Sequence, residues 1–199
     1  MVFLFTARVT IMGNLFYIIG GSGAGKDSLI DYAKKHISEN APIEFVRRYI
    51  TRPSNAGGEN HLALTEEEFL QYKDNDHFVM DWFSHNMHYG IGTEINCWLS
   101  KNISVVMNGS RAYLSEAASK FPDIVPVLIS VDPLILSERL FSRGRESYEE
   151  IQKRINQAVK LESSVAHANL ITVENNTSLE EAGEELLNII TNRLSNKCA

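Results

Sequence analysis

Cysteine is nearly absent from this chain of 199 residues, with Cys97 and Cys198 its only two. They form neither a C-x-x-C pair nor a staple pattern, which excludes a disulfide-built secreted scaffold and a cysteine zinc site and points to a reducing cytoplasm. No apolar run approaches the ~18 residues of a membrane span. Positive charge is outweighed, with 19 Lys and Arg against 25 Asp and Glu and a formal net charge of −6. That balance argues against general binding of nucleic acid or of an anionic membrane surface. The histidines are scattered; His85 and His88 lie close, but no carboxylate or cysteine set completes a metal site, so they read as surface or core residues. The opening MVFLFTARVTIM is broken by Thr6, Arg8 and Thr10 and lacks a basic start and a cleavage region, so it does not make a convincing signal peptide. Met12 is the expected true start, and residues 1–11 are expected to be a disordered or mis-called extension.

What is present is an ordinary globular composition, 44% hydrophobic and 22% charged, at a length that suits one sizeable core. Its most informative stretch is Gly20-Gly21-Ser22-Gly23-Ala24-Gly25-Lys26. Leu15 to Ile19 ahead of it is a short apolar run, as a buried parallel strand should be. Asp27 to Ile37 behind it carries Leu29, Ile30, Ala33 and Ile37 at helical spacing. G-x-x-x-x-G-K between a strand and a helix is a phosphate-binding loop. Its glycines let backbone N–H groups converge on phosphate oxygens, the helix N-terminus adds partial positive charge, and Lys26 reaches the terminal phosphates. The position after the lysine usually holds a Mg²⁺-binding hydroxyl; here Asp27 stands there, followed by Ser28. Asp27 is either a hard oxygen ligand for the metal or a carboxylate stabilising the helix end, and the two roles are compatible.

Strands alternate with helices along the chain, without repeats or low-complexity tracts, which predicts an α/β fold on a parallel sheet. Phe45 to Ile50 reads as a second strand and Thr51 to His61 as a polar loop. Thr65-Glu66-Glu67-Glu68 is a capping box opening a short helix. Phe78 to Phe83 and Met87 to Ile91 form a hairpin around Ser84-His85-Asn86, which breaks the alternation and defines an inserted lobe at about 48–95. Ile103 to Met107 is a buried strand with Asn108-Gly109-Ser110-Arg111 just past its C-terminal end, the edge where open α/β sheets bind ligands. Ile124 to Val131 is a further core strand, and Asp132-Pro133 starts a helix. Ser147-Tyr148-Glu149-Glu150 is a second capping box, opening a helix to about His167. Leu170 to Val173 is the last strand, and an amphipathic helix runs from Leu179.

The arginines fall in a few segments, so an acidic chain holds a basic cleft. Arg139, Arg143, Arg145 and Arg154 make a basic helix–turn–helix at about 139–155. It reads either as a lid over a transferring phosphoryl group or as a solvated face pairing with Glu138, Glu146 and Glu149.

The glycine loop, the inserted lobe and R-L-x-x-R-G-x-x-S…R together resemble guanylate kinase and its relatives. The likeness tightens through G-x-S-G-A-G-K-D-S-L (Gly20 to Leu29), R-Y-I-T-R (Arg48 to Arg52) and G-E-N-H-x-A-L (Gly58 to Leu64). It continues through Y-G-x-G-x-E-I (Tyr89 to Ile95), V-x-N-G-S-R (Val106 to Arg111) and R-G-R-E (Arg143 to Glu146). In these motifs, over about residues 13 to 195, the chain is similar to the ribose 1,5-bisphosphate phosphokinases of phosphonate catabolism. The resemblance implies a three-layer P-loop fold of the nucleoside-monophosphate-kinase kind, spanning 12–199 as one domain. It also implies ATP as donor with Mg²⁺, ribose 1,5-bisphosphate as the small-molecule acceptor, and 5-phosphoribosyl 1-diphosphate as product.

Departures from guanylate kinase have chemical meaning. That family carries T-R-x-x-R-x-G-E; here the second arginine is missing. Phe83 is expected where an acid would read the guanine edge, and Asn108 where guanylate kinases have a strand-end aspartate. On this reading the loop Gly20, Gly21, Ser22, Gly23, Ala24, Gly25, Lys26, with Asp27, Ser28, Arg139 and Arg145, holds the nucleotide, and Asp27 and Ser28 the metal. Lys26, Arg143 and Arg154 neutralise the transition state. Arg48, Arg52 and Arg111 hold the acceptor's phosphates, with Glu59, Asn60, His61, Tyr89 and Asn108 for sugar hydroxyls or orientation. The competing readings are a guanylate or other nucleoside-monophosphate kinase and a catalytically dead binding module of the same fold.

Overall fold

A computed structural model describes residues 13–56, 59–142, 144, 147–162 and 165–195. The apolar run before the glycine loop is β1 (Leu15–Gly20), and the loop feeds α1 (Lys26–His36). Next come β2 (Ile43–Val46), β3 (Tyr49–Ile50), β4 (Leu62–Ala63) and α2 (Glu66–Asp74). β5 (Phe78–Ser84), β6 (Met87–Gly92), α3 (Glu94–Ser100), β7 (Ser104–Asn108) and α4 (Leu114–Lys120) follow. The chain closes with β8 (Val125–Ser130), α5 (Pro133–Ser142), α6 (Tyr148–Glu162), β9 (Ile171–Glu174) and α7 (Leu179–Ser195).

Five strands in the order β2-β7-β1-β8-β9 make the main sheet, every pair parallel. A second sheet, β4-β3-β6-β5, is mixed, with the β5–β6 hairpin antiparallel. The period of two along β1 builds both cores. Phe16 and Ile18 face one side, meeting Leu29 and Ala33 of α1, Leu136 and Leu140 of α5, Ile151 and Ile155 of α6, and Leu186 of α7. Leu15, Tyr17 and Ile19 face the other, meeting Ile95 and Leu99 of α3, Leu114 of α4, and Ile50, Met80, Trp82 and Ile91 of the second sheet. The main sheet is therefore the shared middle layer, and its C-terminal strand ends carry the glycine loop and the Asn108–Arg111 loop. No helix among the described residues is long and apolar enough to cross a membrane.

Local chemistry sets the boundaries. Thr65 and Glu68 exchange side-chain and backbone hydrogen bonds as a full capping box. Ser147 and Glu150 do the same at α6. Asp132 Oδ1 accepts from Leu134 N at 2.8 Å ahead of α5. The β5–β6 turn is two residues, His85 and Asn86, both at positive φ (50° and 58°), the twist that a two-residue hairpin needs.

Two expectations change. Phe45 to Ile50 is not one strand: β2 ends at Val46 in the main sheet and β3 begins at Tyr49 in the second. The crossing falls at Arg47-Arg48, where adjacent cations interrupt the apolar run and Arg48 turns into a cleft. The helix expected to reach His167 is described to Glu162, and 165–167 have no helical structure. α3 and α4, seven residues each, are too short to show a helical period in sequence.

Candidate active site

The glycine loop turns twice through left-handed backbone, at Gly23 (φ 91°) and Gly25 (φ 87°), conformations that favour glycine. Space is as tight as torsion: a Cβ at Gly25 would lie 2.5 Å from Asn175 Nδ2. Asn175, buried just beyond β9, donates from that nitrogen to Ala24 O at 2.8 Å and so ties the loop to the sheet edge. Lys26 folds back under the loop, its Nζ donating to Gly20 O at 3.2 Å and Gly21 O at 3.1 Å. Burial pulls the Lys26 pKa down to about 8, against the pull of the Asp27 carboxylate.

From Lys26 a cavity of about 710 Å³ opens across the sheet edge. Asp27, Asn108 and Glu59 form one side. Asn108 Nδ2 donates to Asp27 Oδ1 at 2.7 Å and to Glu59 Oε2 at 3.3 Å. Desolvation within the cavity and the charge of Glu59 raise the Asp27 pKa from its ordinary value. Glu59 also receives both Nε (2.8 Å) and Nη2 of Arg48, a fork-shaped ion pair. The Arg48 guanidinium lies 4.7 Å from the Tyr89 ring centroid and 5.9 Å from that of Trp82, a cation–π arrangement.

The loop after β7 is pinned by Tyr17, whose hydroxyl accepts from Ser110 N at 2.9 Å and donates to Ser110 O at 3.1 Å. Its burial drives the phenol pKa well above the ordinary tyrosine value. Arg111, at the end of this loop, donates to Ala158 O of α6 at 3.1 Å. α6 lies over the glycine loop, and its Arg154 Nη2 donates to Ser22 Oγ.

Of the residues singled out in sequence, Gly20, Ser22, Gly23, Lys26, Asp27, Arg48, Arg52, Glu59, Tyr89, Asn108, Arg111 and Arg154 line this one cavity. Gly21, Ala24, Gly25 and Ser28 belong to the loop and helix start behind it. Asn60 and His61 do not line it. His61 is buried beside Arg52, its Nε2 within 2.9 Å of Arg52 O and its Nδ1 within 3.2 Å of Arg52 Nη2, so it braces that arginine. Arg139 points elsewhere, donating to Thr177 O at 3.4 Å. Arg143 and Arg145 lie outside the described residues. Phe83 is a correction: it is 61% exposed on the outer face of β5, beside His88. Strand alternation turns Trp82 and Ser84 into the cavity instead. Reading the strand's period from Met80 would have found them.

The cavity walls missed in sequence include Trp82, Ser84, His85 and Met87 of the hairpin and Lys153 and Gln157 of α6. A second cavity of about 470 Å³ lies between the β8–α5 turn and α6, lined by Val131, Pro133, Leu136, Ile155 and Val159, among others.

Among the described residues no three His, Cys, Asp or Glu side chains are grouped to hold a metal by themselves. Asp27 with Glu59 nonetheless suits Mg²⁺, which binds one or two carboxylates and completes its shell from phosphate and water. The buried Asn108 Oδ1 beside them has no hydrogen-bond partner, a further oxygen donor at the same place.

A parallel sheet whose first strand delivers a glycine loop and lysine to a basic, strand-end cavity is the frame of a P-loop phosphotransferase. The guanylate kinase family model matches residues 12–193. The guanylate kinase of Anaplasma phagocytophilum has the same fold, with a TM-score of 0.70 at 15% identity over 92% of this chain and 87% of that one. Two relatives are far more alike in sequence, and both are named ribose 1,5-bisphosphate phosphokinase PhnN. That of Psychromonas ingrahamii is 46% identical over 181 residues, 91% of each chain. That of Thiobacillus denitrificans is 42% identical over 187 residues, 94% of this chain and 97% of the relative. The chain belongs to the guanylate kinase family, in its ribose 1,5-bisphosphate phosphokinase branch.

Proposed function

We propose that this chain transfers the γ-phosphoryl group of ATP to the 1-phosphate of ribose 1,5-bisphosphate, releasing ADP and 5-phospho-α-D-ribose 1-diphosphate. One observation carries the reading beyond family membership. A single cavity joins Lys26 to Arg48, Arg52, Arg111 and Arg154, while the hairpin wall opposite supplies no carboxylate to read the edge of a base. Such a cavity suits an acceptor with phosphate at both ends and no base.

The attacking group is an anionic phosphate oxygen, so no general base is needed. That oxygen bonds to the γ-phosphorus as the bond to the β,γ-bridging oxygen breaks, and ADP leaves with the electron pair. Catalysis is then positioning and charge neutralisation of a loose transition state. Lys26 exchanges its carbonyl partners for β- and γ-phosphate oxygens. Arg154, already over the glycine loop, meets the transferring group, and Arg143 and Arg145 are assigned to the same task. Arg48, Arg52 and Arg111 hold the acceptor, with Tyr89 supporting Arg48 and Asn108 orienting Asp27 and Glu59. Asp27 and Glu59, with Ser28 of the helix start, are the residues that would hold Mg²⁺, which would supply charge neutralisation to the donor's phosphates. The second cavity, with apolar walls from Val131, Leu136, Ile155 and Val159 and polar lining from Ser130, Asp132, Glu174 and Asn176, suits the donor's base.

The test offers Mg-ATP with ribose 1,5-bisphosphate and, separately, with GMP, and follows ADP release. Turnover with the bisphosphate at least a hundredfold above that with GMP is expected. Turnover with GMP alone would return the chain to guanylate kinase chemistry, and none with either would leave a binding module.

A further inference from the structure

We propose that Trp82 is the specificity-determining residue of the acceptor site: a fixed wall that sets acceptor length and denies a nucleobase its place. The inference deepens the reading just given and rests on it for the identity of the true acceptor.

The cavity is lined from the main sheet by Lys26 and the glycine loop and from the second sheet by Trp82, Ser84, Met87 and Tyr89 of the β5–β6 strands and their turn. With the attacking oxygen at Lys26, the rest of the acceptor extends toward that hairpin. Alternation along β5 turns Trp82 inward, and pairing places it directly opposite Tyr89 on β6. The two rings are stacked, with centroids 5.6 Å apart and planes 3° apart. Tyr113 stacks on the same indole at 5.3 Å. All three rings are buried, Trp82 retaining 9% exposure, and all belong to the core that joins the second sheet to the main one. Behind Trp82 on the same face, Met80 is fully buried.

A ring held on a paired strand and stacked with two others cannot swing aside without breaking that core. The hairpin's polar side chains on the cavity are Ser84 and His85, at the turn, and it brings no carboxylate to read a base. The three carboxylates around the cavity, Asp27, Glu59 and Glu150, come from α1, the loop before β4, and α6, and none from the hairpin. What the wall does offer at its face is the Arg48 guanidinium, seated over Tyr89 and Trp82. A sugar ending in phosphate therefore meets a cation there, competing with Glu59 for its donors. A sugar ending in a purine meets an indole in the space it needs and no carboxylate for its polar edge.

Ribose 5-phosphate and GMP share a sugar phosphate and differ in the base, so the ratio of their dissociation constants reads the wall directly. The experiment measures both by calorimetry for the wild type, Trp82→Ala and Trp82→Phe, with circular dichroism as the folding check. The ratio Kd(GMP)/Kd(ribose 5-phosphate) is expected to fall at least tenfold in Trp82→Ala and by less in Trp82→Phe. If Trp82→Ala does not fold, Trp82→Phe decides, a threefold fall being the threshold. A ratio within about twofold of wild type in folded variants overturns the proposal. In parallel, KM for ribose 1,5-bisphosphate should rise in Trp82→Ala with kcat changing less. Absence of wild-type turnover with that acceptor would sink the assigned reaction, while the binding ratio would still report on the wall.

Discussion

Lys26 is an ammonium held out of water against two backbone carbonyls. Burial lowers its pKa to about 8 from an ordinary value of 10.5, so the folded chain gives up this proton more readily than the unfolded chain. The cost of burying the ammonium is fully present below pH 8 and is relieved as pH rises from there toward 10.5. Phosphate oxygens at the same nitrogen favour the charged form and raise the pKa again. Binding of Mg-ATP at pH 8.5 should therefore take up protons, seen as a binding heat that changes between two buffers of different ionisation enthalpy. Identical heats in both buffers would contradict this account of Lys26. Lys26→Met should abolish the uptake and lower turnover by about 10²–10³-fold, the usual loss when a donor to developing charge is removed. Asp27 shows the same logic with opposite charge: it is crowded against Glu59, and a cation there relieves both.

Among the elements, the loop after β7 illustrates how a strand end becomes part of a site. Its geometry is fixed from below by a strand residue, Tyr17 of β1, through two hydrogen bonds to Ser110. Gly109 lets the backbone lie against that ring: a Cβ there would be 2.4 Å from ring carbons of a fully buried side chain. Gly109→Ala must push either the ring or the loop, an overpacking cost of about 1–3 kcal/mol. For a chain of this size the expected outcome is a Tm lower by several degrees, since each kcal/mol moves it by roughly 2–4 °C. The displaced Asn108 and Arg111 should lower kcat/KM as well. Scanning calorimetry and initial rates check both, and an unchanged Tm would mean the loop is not pinned as described. Asn175 performs the matching task for the glycine loop from the end of β9.

Over the whole molecule, the field of the site opposes the field of the chain. The net charge is −6, yet the cavity is lined by Lys26, Arg48, Arg52, Arg111, Lys153 and Arg154 against Asp27, Glu59 and Glu150. A basic cleft in an acidic body concentrates a small polyanion without collecting larger ones on the outer surface. Its attraction is screened by salt beyond a Debye length of about 10 Å at 0.1 M. Raising KCl from about 0.05 to about 0.5 M should therefore raise KM for ribose 1,5-bisphosphate several-fold and move kcat much less, by initial-rate measurement. A KM indifferent to salt would mean that contacts alone, and not the cleft's potential, capture the acceptor.

Local pattern sufficed wherever one segment's chemistry determined the outcome. Leu15 to Lys26 declared the strand, loop and lysine; Thr65–Glu68 and Ser147–Glu150 declared two helix starts; the apolar periods of β7, β8 and α7 declared a parallel α/β fold. These depend on neighbours in sequence, so a linear reading reaches them. Which residues share the cavity was settled elsewhere. Phe83 and Trp82 are adjacent, and only the pleat of β5 against Tyr89 turned the indole inward and left the phenyl ring in solvent. Glu59-Asn60-His61 looked like one polar unit, but the fold gave the carboxylate to Arg48, the ring to Arg52 and left the amide outside. Asn175 carried no local mark of its role at all. Side-chain direction and partnership come from packing between segments far apart in the chain, and that information exists only once the two sheets have met.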